Sequence, residues 1–136
     1  MVKLLIAVDA IDGPGPPRPD LDALVQRMLS YSDDSIANQL WVADGGPGIV
    51  SREIARIRLR ETVPPANPGM WGATLFTAKD VARIYEYLLD EFPARPRAVM
   101  VAALRHSAPD GADGFYQHFG IPDGLAGTPW AVKQGW

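Results

Sequence analysis

Apolar residues dominate the first stretch of the chain. Nearly every position within residues 2–12 is apolar, which predicts a helix covered on all sides by other elements: Leu4, Leu5, Ile6, Ala7, Val8, Ala10 and Ile11. The Gly- and Pro-rich stretch 13–17 ends this helix, because proline cannot continue one. The chain is therefore expected to build its core around its own first element.

Apolar positions at helical spacing predict five more helices. They run from the N-cap Asp20 to about Ser30, onward from the polar cluster 32–34, from Ile49 to about Ile57, onward from Thr77, and over 98–104. Thr77 with Asp80 three residues later resembles a capping box. Residues 60–76 and 110–128 are predicted to be loops, and residues 130–133 one strand. A lone strand leaves backbone groups unpaired, so strands are expected to be missing at both ends.

Length and charge place limits on the class of protein. The chain has 136 residues, enough for one domain with a core, and a net charge of −3, which gives no basic field for nucleic acid. It has no cysteine, so disulfides and thiolate metal sites are excluded. No stretch approaches the length needed to span a bilayer, and the apolar stretch 4–8 lacks the small-residue cleavage pattern of a signal peptide.

Three polar clusters stand against this apolar background. Lys3 lies at the start of the first helix, where a cation opposes the helix dipole, and burial there makes it a candidate general base. Its alternative is a solvated residue at a frayed terminus. The cluster Ser32-Asp33-Asp34 precedes a helix, and capping alone could explain it. Lys133-Gln134-Gly135 follows Trp130 and Val132, which favours a strand edge over a tail.

Taken together, these segments resemble the class A β-lactamase-like serine hydrolases of the penicillin-recognising serine enzyme family, especially the short form of actinomycete-type bacteria. Residues 2–7 resemble S-x-V-K-L-L-I-A from its second residue, and residues 31–38 resemble Y-S-D-N-x-A-A-N. Residues 71–80 resemble W-G-x-T-x-T-T-A-x-D, and residues 131–136 resemble V-K-x-G-W. The resemblance implies that residues 1–136 form a single, incomplete domain. Its fold class would be a mostly α fragment of the α+β β-lactamase/transpeptidase-like fold, a helical core with about one remaining strand.

The resemblance also implies acyl transfer through a serine ester on β-lactam or cell-wall peptide amides. Lys3 would deprotonate a serine expected directly before Met1, and Ser32 would relay a proton to the leaving nitrogen. Lys133 would hold Ser32 and attract a substrate carboxylate. The implied substrate-binding residues are Asp34, Asn38, Gln134, Gly135 and Trp136, the last through a backbone N–H of the oxyanion hole.

Several positions depart from the family pattern. Gln134 replaces a hydroxyl residue, and Asp34 replaces an amide donor with a carboxylate that would repel a substrate carboxylate unless it is protonated or paired. Glu61, the single acidic residue in the 60–76 loop, is a possible deacylation base, with an exposed loop carboxylate as the alternative. Without the serine, the chain as given is not expected to be active.

Two other functions stay open. A non-catalytic module could bind a peptidoglycan-type ligand or a protein partner, and an unrelated helical binding module would place Lys3, Ser32 and Lys133 far apart. No cofactor and no metal are expected, since His106 and His118 lack a ligand pattern. The expected partner is a small-molecule or peptidoglycan-type substrate, with no nucleic acid and no membrane span. The parent protein is expected to be exported to the cell envelope or to the extracellular space.

Overall fold

The helix α1, Val2–Asp12, lies at the centre of the protein. The structure is a computed structural model that describes residues 1–125 and 127–135. All nine residues from Val2 to Ala10 are buried, and Leu4, Leu5, Ile6 and Ala7 have no exposed surface. Such a sequence can form a helix only where other elements cover every side of it. The prediction of a buried first helix is confirmed.

Within residues 1–125 and 127–135, six further α-helices follow α1, and five of them correspond to the predicted ones. α2 packs on α1 and α6, α3 packs on α1 and α2, and α4 packs on α1. None of the helices in the described part of the chain is long and apolar enough to cross a membrane. The helices are α2 (Leu21–Ser30), α3 (Asp34–Ala43), α4 (Pro47–Ile57), α5 (Ala78–Glu86), α6 (Ala94–Arg105) and the short α7 (Ile121–Gly124).

Two helices differ in detail from the predicted ones. α6 begins at Ala94, four residues earlier than predicted, because Pro96 falls in its first turn, where a missing N–H costs no intrahelical bond. α5 continues directly into a π-helical turn, Tyr87–Glu91, in which the Phe92 N–H donates to the Tyr87 carbonyl at 2.8 Å. The wider turn keeps Leu88 and Phe92 in the core.

The loop 60–76 folds against the body of the protein. The buried carboxylate of Asp80 accepts hydrogen bonds from the backbone N–H groups of Arg60 and Glu61, at 3.0 and 2.8 Å, and from the Thr62 hydroxyl at 2.7 Å. The capping box is therefore half formed. Thr77 Oγ1 accepts a hydrogen bond from the Asp80 N–H, but the Asp80 side chain accepts hydrogen bonds from the loop and not from the Thr77 N–H.

The predicted fold class, an α+β fragment with one remaining strand, is wrong. Residues 130–133 have no regular secondary structure and form no strand, because no neighbouring strand in residues 1–125 and 127–135 lies beside them. The Val132 N–H instead donates to the Leu104 carbonyl at the end of α6, at 3.1 Å. The described residues contain two isolated β-bridges, Val63 with Leu75 and Asp110 with Tyr116, and no sheet. The described part of the chain is helical.

The central position of α1 predicts a large loss of stability on truncation. Leu5→Ala is expected to lower the free energy of unfolding by about 2–5 kcal/mol, because it opens a cavity where no side chain can collapse. Val42→Ala, on the exposed face of α3, is the control and is expected to change it by less than about 0.5 kcal/mol. Urea denaturation measures both, and equal losses would contradict a core centred on α1.

Candidate functional site

Two lysines meet at one serine hydroxyl. Lys3 Nζ lies 2.8 Å and Lys133 Nζ lies 2.9 Å from Ser32 Oγ, and all three side chains are buried. The residues come from the first turn of α1, the turn between α2 and α3, and the irregular segment that follows Trp130. The chain has three lysines, and the third, Lys79, is exposed. Buried lysines are rare in proteins, so two at one hydroxyl mark a candidate site.

The backbone of Ser32 is in the left-handed region, with φ of +54°. A residue other than glycine pays conformational energy there, and such residues cluster at functional sites. The Lys3 ammonium group holds this conformation, since Nζ also donates to the Ser32 carbonyl at 2.6 Å. The turn therefore directs both oxygens of Ser32 toward the same lysine.

The three residues of the cluster 32–34 have different roles. Asp33 is the N-cap of α3 and accepts hydrogen bonds from the N–H groups of Ser35 and Ile36. Burial opposes ionisation of Asp33, but hydrogen bonds from Ser35, Arg27 and Ile36 outweigh it and lower its pKa. Asp34 instead lies with Oδ1 2.5 Å from Lys3 Nζ, and its side chain is largely exposed. Capping of α3 thus explains why aspartate is found at position 33, but it does not explain Ser32 or Asp34.

Lys133 has an altered proton affinity. Burial and the nearby positive charge of Lys3 lower its pKa to about 8, although the negative charge of Asp34 acts in the opposite direction. Its ammonium group also donates to the Gln134 carbonyl at 3.1 Å. A lysine with this pKa is partly neutral at mildly alkaline pH, so it can both accept and donate a proton.

Trp71 is a part of the site that the sequence did not single out as a site residue. Lys3 Nζ lies 5.3 Å from the centre of the Trp71 ring, within range of a cation–π contact. Asn38 Oδ1 accepts from Trp71 Nε1 at 2.7 Å, so the predicted substrate-binding residue Asn38 orients this indole ring. The signal available in the sequence was a tryptophan in an irregular loop, and aromatic residues in such loops also serve to cover a core.

The other predicted site residues lie around this centre in different ways. Gln134 faces away from the lysines, with Nε2 donating to the carbonyls of Gln117 and Phe119 at 2.5 and 3.0 Å. Gly135 lines a cavity of about 340 Å³ together with Trp71. Trp136 lies outside the described residues. Glu61 is exposed, and its backbone N–H serves Asp80.

The arrangement suits two kinds of chemistry. Two ammonium groups facing one carboxylate, Asp34, make the site able to attract an anion. The serine hydroxyl between them offers a route for a proton. In the part of the chain that the structure describes, no group of three His, Asp or Glu side chains could hold a metal ion.

Similar proteins are known in mycobacteria. Proteins named "Putative lipoprotein LppW" from Mycobacterium tuberculosis (strain ATCC 25618 / H37Rv) and Mycobacterium bovis (strain ATCC BAA-935 / AF2122/97) are each 41% identical to the chain over 143 residues. The alignment covers 100% of this chain and 45% of each relative, so the chain spans a little under half of their length. No protein-family model matches the chain, and no solved structure matches it.

These comparisons overturn the family prediction. The chain was expected to belong to the class A β-lactamase-like enzymes, but no model of that family matches it. The proteins that align with its whole length have the name of a lipoprotein instead. The identification as a β-lactamase-like or penicillin-binding hydrolase is therefore wrong. Short polar motifs in the right order are not enough to establish a family, since helix capping selects serine and aspartate in any fold.

The left-handed backbone of Ser32 is expected to reverse the usual order of stability, in which an alanine variant is more stable than a glycine variant. Ser32→Gly is expected to be more stable than Ser32→Ala by about 1 kcal/mol, because both lose the hydroxyl but only alanine keeps the strain. At Ser35, within α3, the same pair is expected to show the usual order, with alanine better by about 0.5–1 kcal/mol. Urea unfolding of the four variants tests this, and alanine being preferred at both positions would contradict it.

The charges around Lys133 predict opposite shifts of its pKa. Lys3→Met removes a positive charge and is expected to raise the pKa of Lys133 above about 8, whereas Asp34→Asn removes a negative charge and is expected to lower it. NMR titration of the lysine side chains measures both, with exposed Lys79 as the internal reference. Shifts of the same sign in the two variants would refute this electrostatic account.

Proposed function

We propose that the cluster of Lys3, Ser32 and Lys133 binds a carboxylate group of a peptidoglycan-type ligand at the cell envelope. The observation that supports this best is the convergence of two buried lysines on one hydroxyl. A ligand carboxylate would form charge-assisted hydrogen bonds there, which are stronger than neutral ones. The pairing of Asp34 with Lys3 at 2.5 Å reduces the repulsion that Asp34 would otherwise exert on such a ligand.

The proposed location and ligand class rest on the relatives. Their printed name, lipoprotein, favours a place at the cell envelope. Cell-wall peptides end in carboxylates and are abundant in that compartment. The cavity of about 340 Å³ is lined by Trp71, whose ring contacts Lys3, and by Gly135, and it would add space for the body of a peptide.

The pKa of Lys133 supports a second candidate function, acyl transfer at an amide or ester. A lysine with a pKa of about 8 that is bonded to Ser32 Oγ can pass a proton through this hydroxyl to a leaving nitrogen. In this proposal Ser32 relays the proton and does not form a bond to the acyl group. Water would be the nucleophile: its oxygen would bond to the carbonyl carbon as the bond to the leaving nitrogen breaks, which gives a carboxylic acid and an amine.

A matched pair of peptides tests the first proposal. In calorimetric titrations, an N-acetylated tripeptide with a free C-terminal carboxylate is expected to bind, and its C-terminal amide is not. Lys133→Met is expected to weaken binding of the acid by about tenfold or more, the loss of one charged hydrogen bond. Lys79→Met is the control and is expected to bind like the unchanged protein.

The same samples separate the two functions. Binding of the acid without any product by mass spectrometry supports a binding module, whereas a cleaved peptide or a covalent adduct supports acyl transfer. Equal binding of acid and amide, or unchanged binding by Lys133→Met, would overturn the carboxylate site.

A further inference from the structure

A second group of charged residues lies at the other end of α1. Asp9 lies in the last turn of α1 and Glu53 in α4, two helices that pack on one another, and the two carboxyl groups are close enough to interact electrostatically. Neither side chain has any exposed surface. Two fully buried carboxyl groups at one helix interface need either two counter-charges or a proton between them.

Asp9 has its counter-charge. Arg52 Nε and Nη2 donate to the two carboxylate oxygens of Asp9 at 2.7 and 2.8 Å, the paired geometry that arginine offers to a carboxylate. Arg52 Nη2 also donates to the Asp44 carbonyl at 2.6 Å. Asp9 is therefore accommodated as an anion.

Glu53 has no comparable partner. Neither of its carboxylate oxygens accepts a hydrogen bond, although both are buried. Arg56 Nε is 3.5 Å from Oε1, but its Nη1 and Nη2 donate to the carboxylate and the carbonyl of Asp12 at 2.9 and 3.0 Å. An unprotonated Glu53 would leave two buried acceptors without donors, which is costly.

The charges that face Glu53 are already balanced without it. Three arginines pair with three aspartates, so an ionised Glu53 would be a surplus negative charge, and the remaining titratable neighbour is the Tyr87 hydroxyl near Arg56. Burial is the main cause that raises the pKa of Glu53 from its usual 4.5 to about 8; the charge of Asp9 and a hydrogen bond with it act in the same direction, and the charges of Arg56 and Arg52 act against it. The pairs are Arg18 with Asp44, Arg52 with Asp9, and Arg56 with Asp12.

We propose that Glu53 is protonated and donates this proton to Asp9, so that a shared proton joins α4 to α1 and makes their packing sensitive to pH. Protonation turns a contact between two acceptors into a hydrogen bond and removes the surplus charge. Loss of the proton would leave two adjacent negative charges inside the helix interface.

The direction of the pH effect follows from where the proton is bound. Between pH 4.5 and about 8, the folded chain keeps the proton on Glu53 while the unfolded chain has released it. Stability therefore falls as pH rises through this window, and the unfolding constant increases by up to about tenfold per pH unit. Above the window the effect levels off, because both states have lost the proton.

Infrared spectroscopy of the unchanged protein tests the proton directly. At pH 6 ordinary carboxyl groups are ionised, so a carbonyl band of a protonated acid is expected from Glu53, and it is expected to disappear by pH 10. The band is expected to be absent in Glu53→Gln and present in Glu86→Gln, a matched control whose side chain is largely exposed. No band at pH 6, or a band unchanged in Glu53→Gln, would overturn the proposal.

Unfolding measurements test the consequence for packing. The ratio of the unfolding constants of the unchanged protein and Glu53→Gln is expected to rise with pH between 5 and 8, since glutamine can donate to Asp9 at every pH. The Glu86→Gln ratio is expected to stay flat. A flat ratio for Glu53→Gln would contradict a pH-sensitive contact, and if this variant does not fold, the infrared titration of the unchanged protein decides alone.

Discussion

The burial of α1 is the constraint on which the rest of the structure depends. A helix without a solvent-facing side still has Lys3 in its first turn and Asp9 and Asp12 in its last turn. Each of these charges opposes the helix dipole, so the helix itself does not stabilise them. Other elements must therefore supply the partners, which explains why the turn at 32–34 and the arginines of α4 lie where they do.

The two ends of α1 meet this requirement in different ways. At the first end, two lysines face Ser32 and Asp34, which leaves an excess of positive charge. At the other end, three arginines each pair with one aspartate, and the carboxyl group of Glu53 is left without a hydrogen bond from any of them. Lys3 and Asp9 are six residues apart, about 9 Å along the helix axis. The single helix α1 thus connects the lysine cluster, which could bind an anion, with the Asp9–Glu53 pair, which could hold a proton.

Helical periodicity was sufficient to predict six of the seven α-helices in the described part of the chain. The proximity of Lys3, Ser32 and Lys133 was expected only from the order of short polar motifs, through a family resemblance that the comparisons do not support. The sequence could not establish a strand at 130–133, since a strand depends on a partner strand elsewhere. The direction of Gln134 depends on carbonyls of an aperiodic loop. Glu53 occupies a polar position on an otherwise amphipathic helix, a pattern typical of the surface, and its neighbour Asp9 is 44 residues away.

The left-handed turn at Ser32 restricts how this position can vary among homologous proteins. Threonine would keep a hydroxyl for the two lysines, but its β-branched side chain is strongly disfavoured at a φ of +54°. Glycine and asparagine fit the backbone better, yet glycine lacks a side chain and asparagine is longer than serine. Serine therefore combines a short hydroxyl with a side chain that the left-handed backbone tolerates. Substitution by threonine, usually the easiest exchange for serine, is disfavoured at this position.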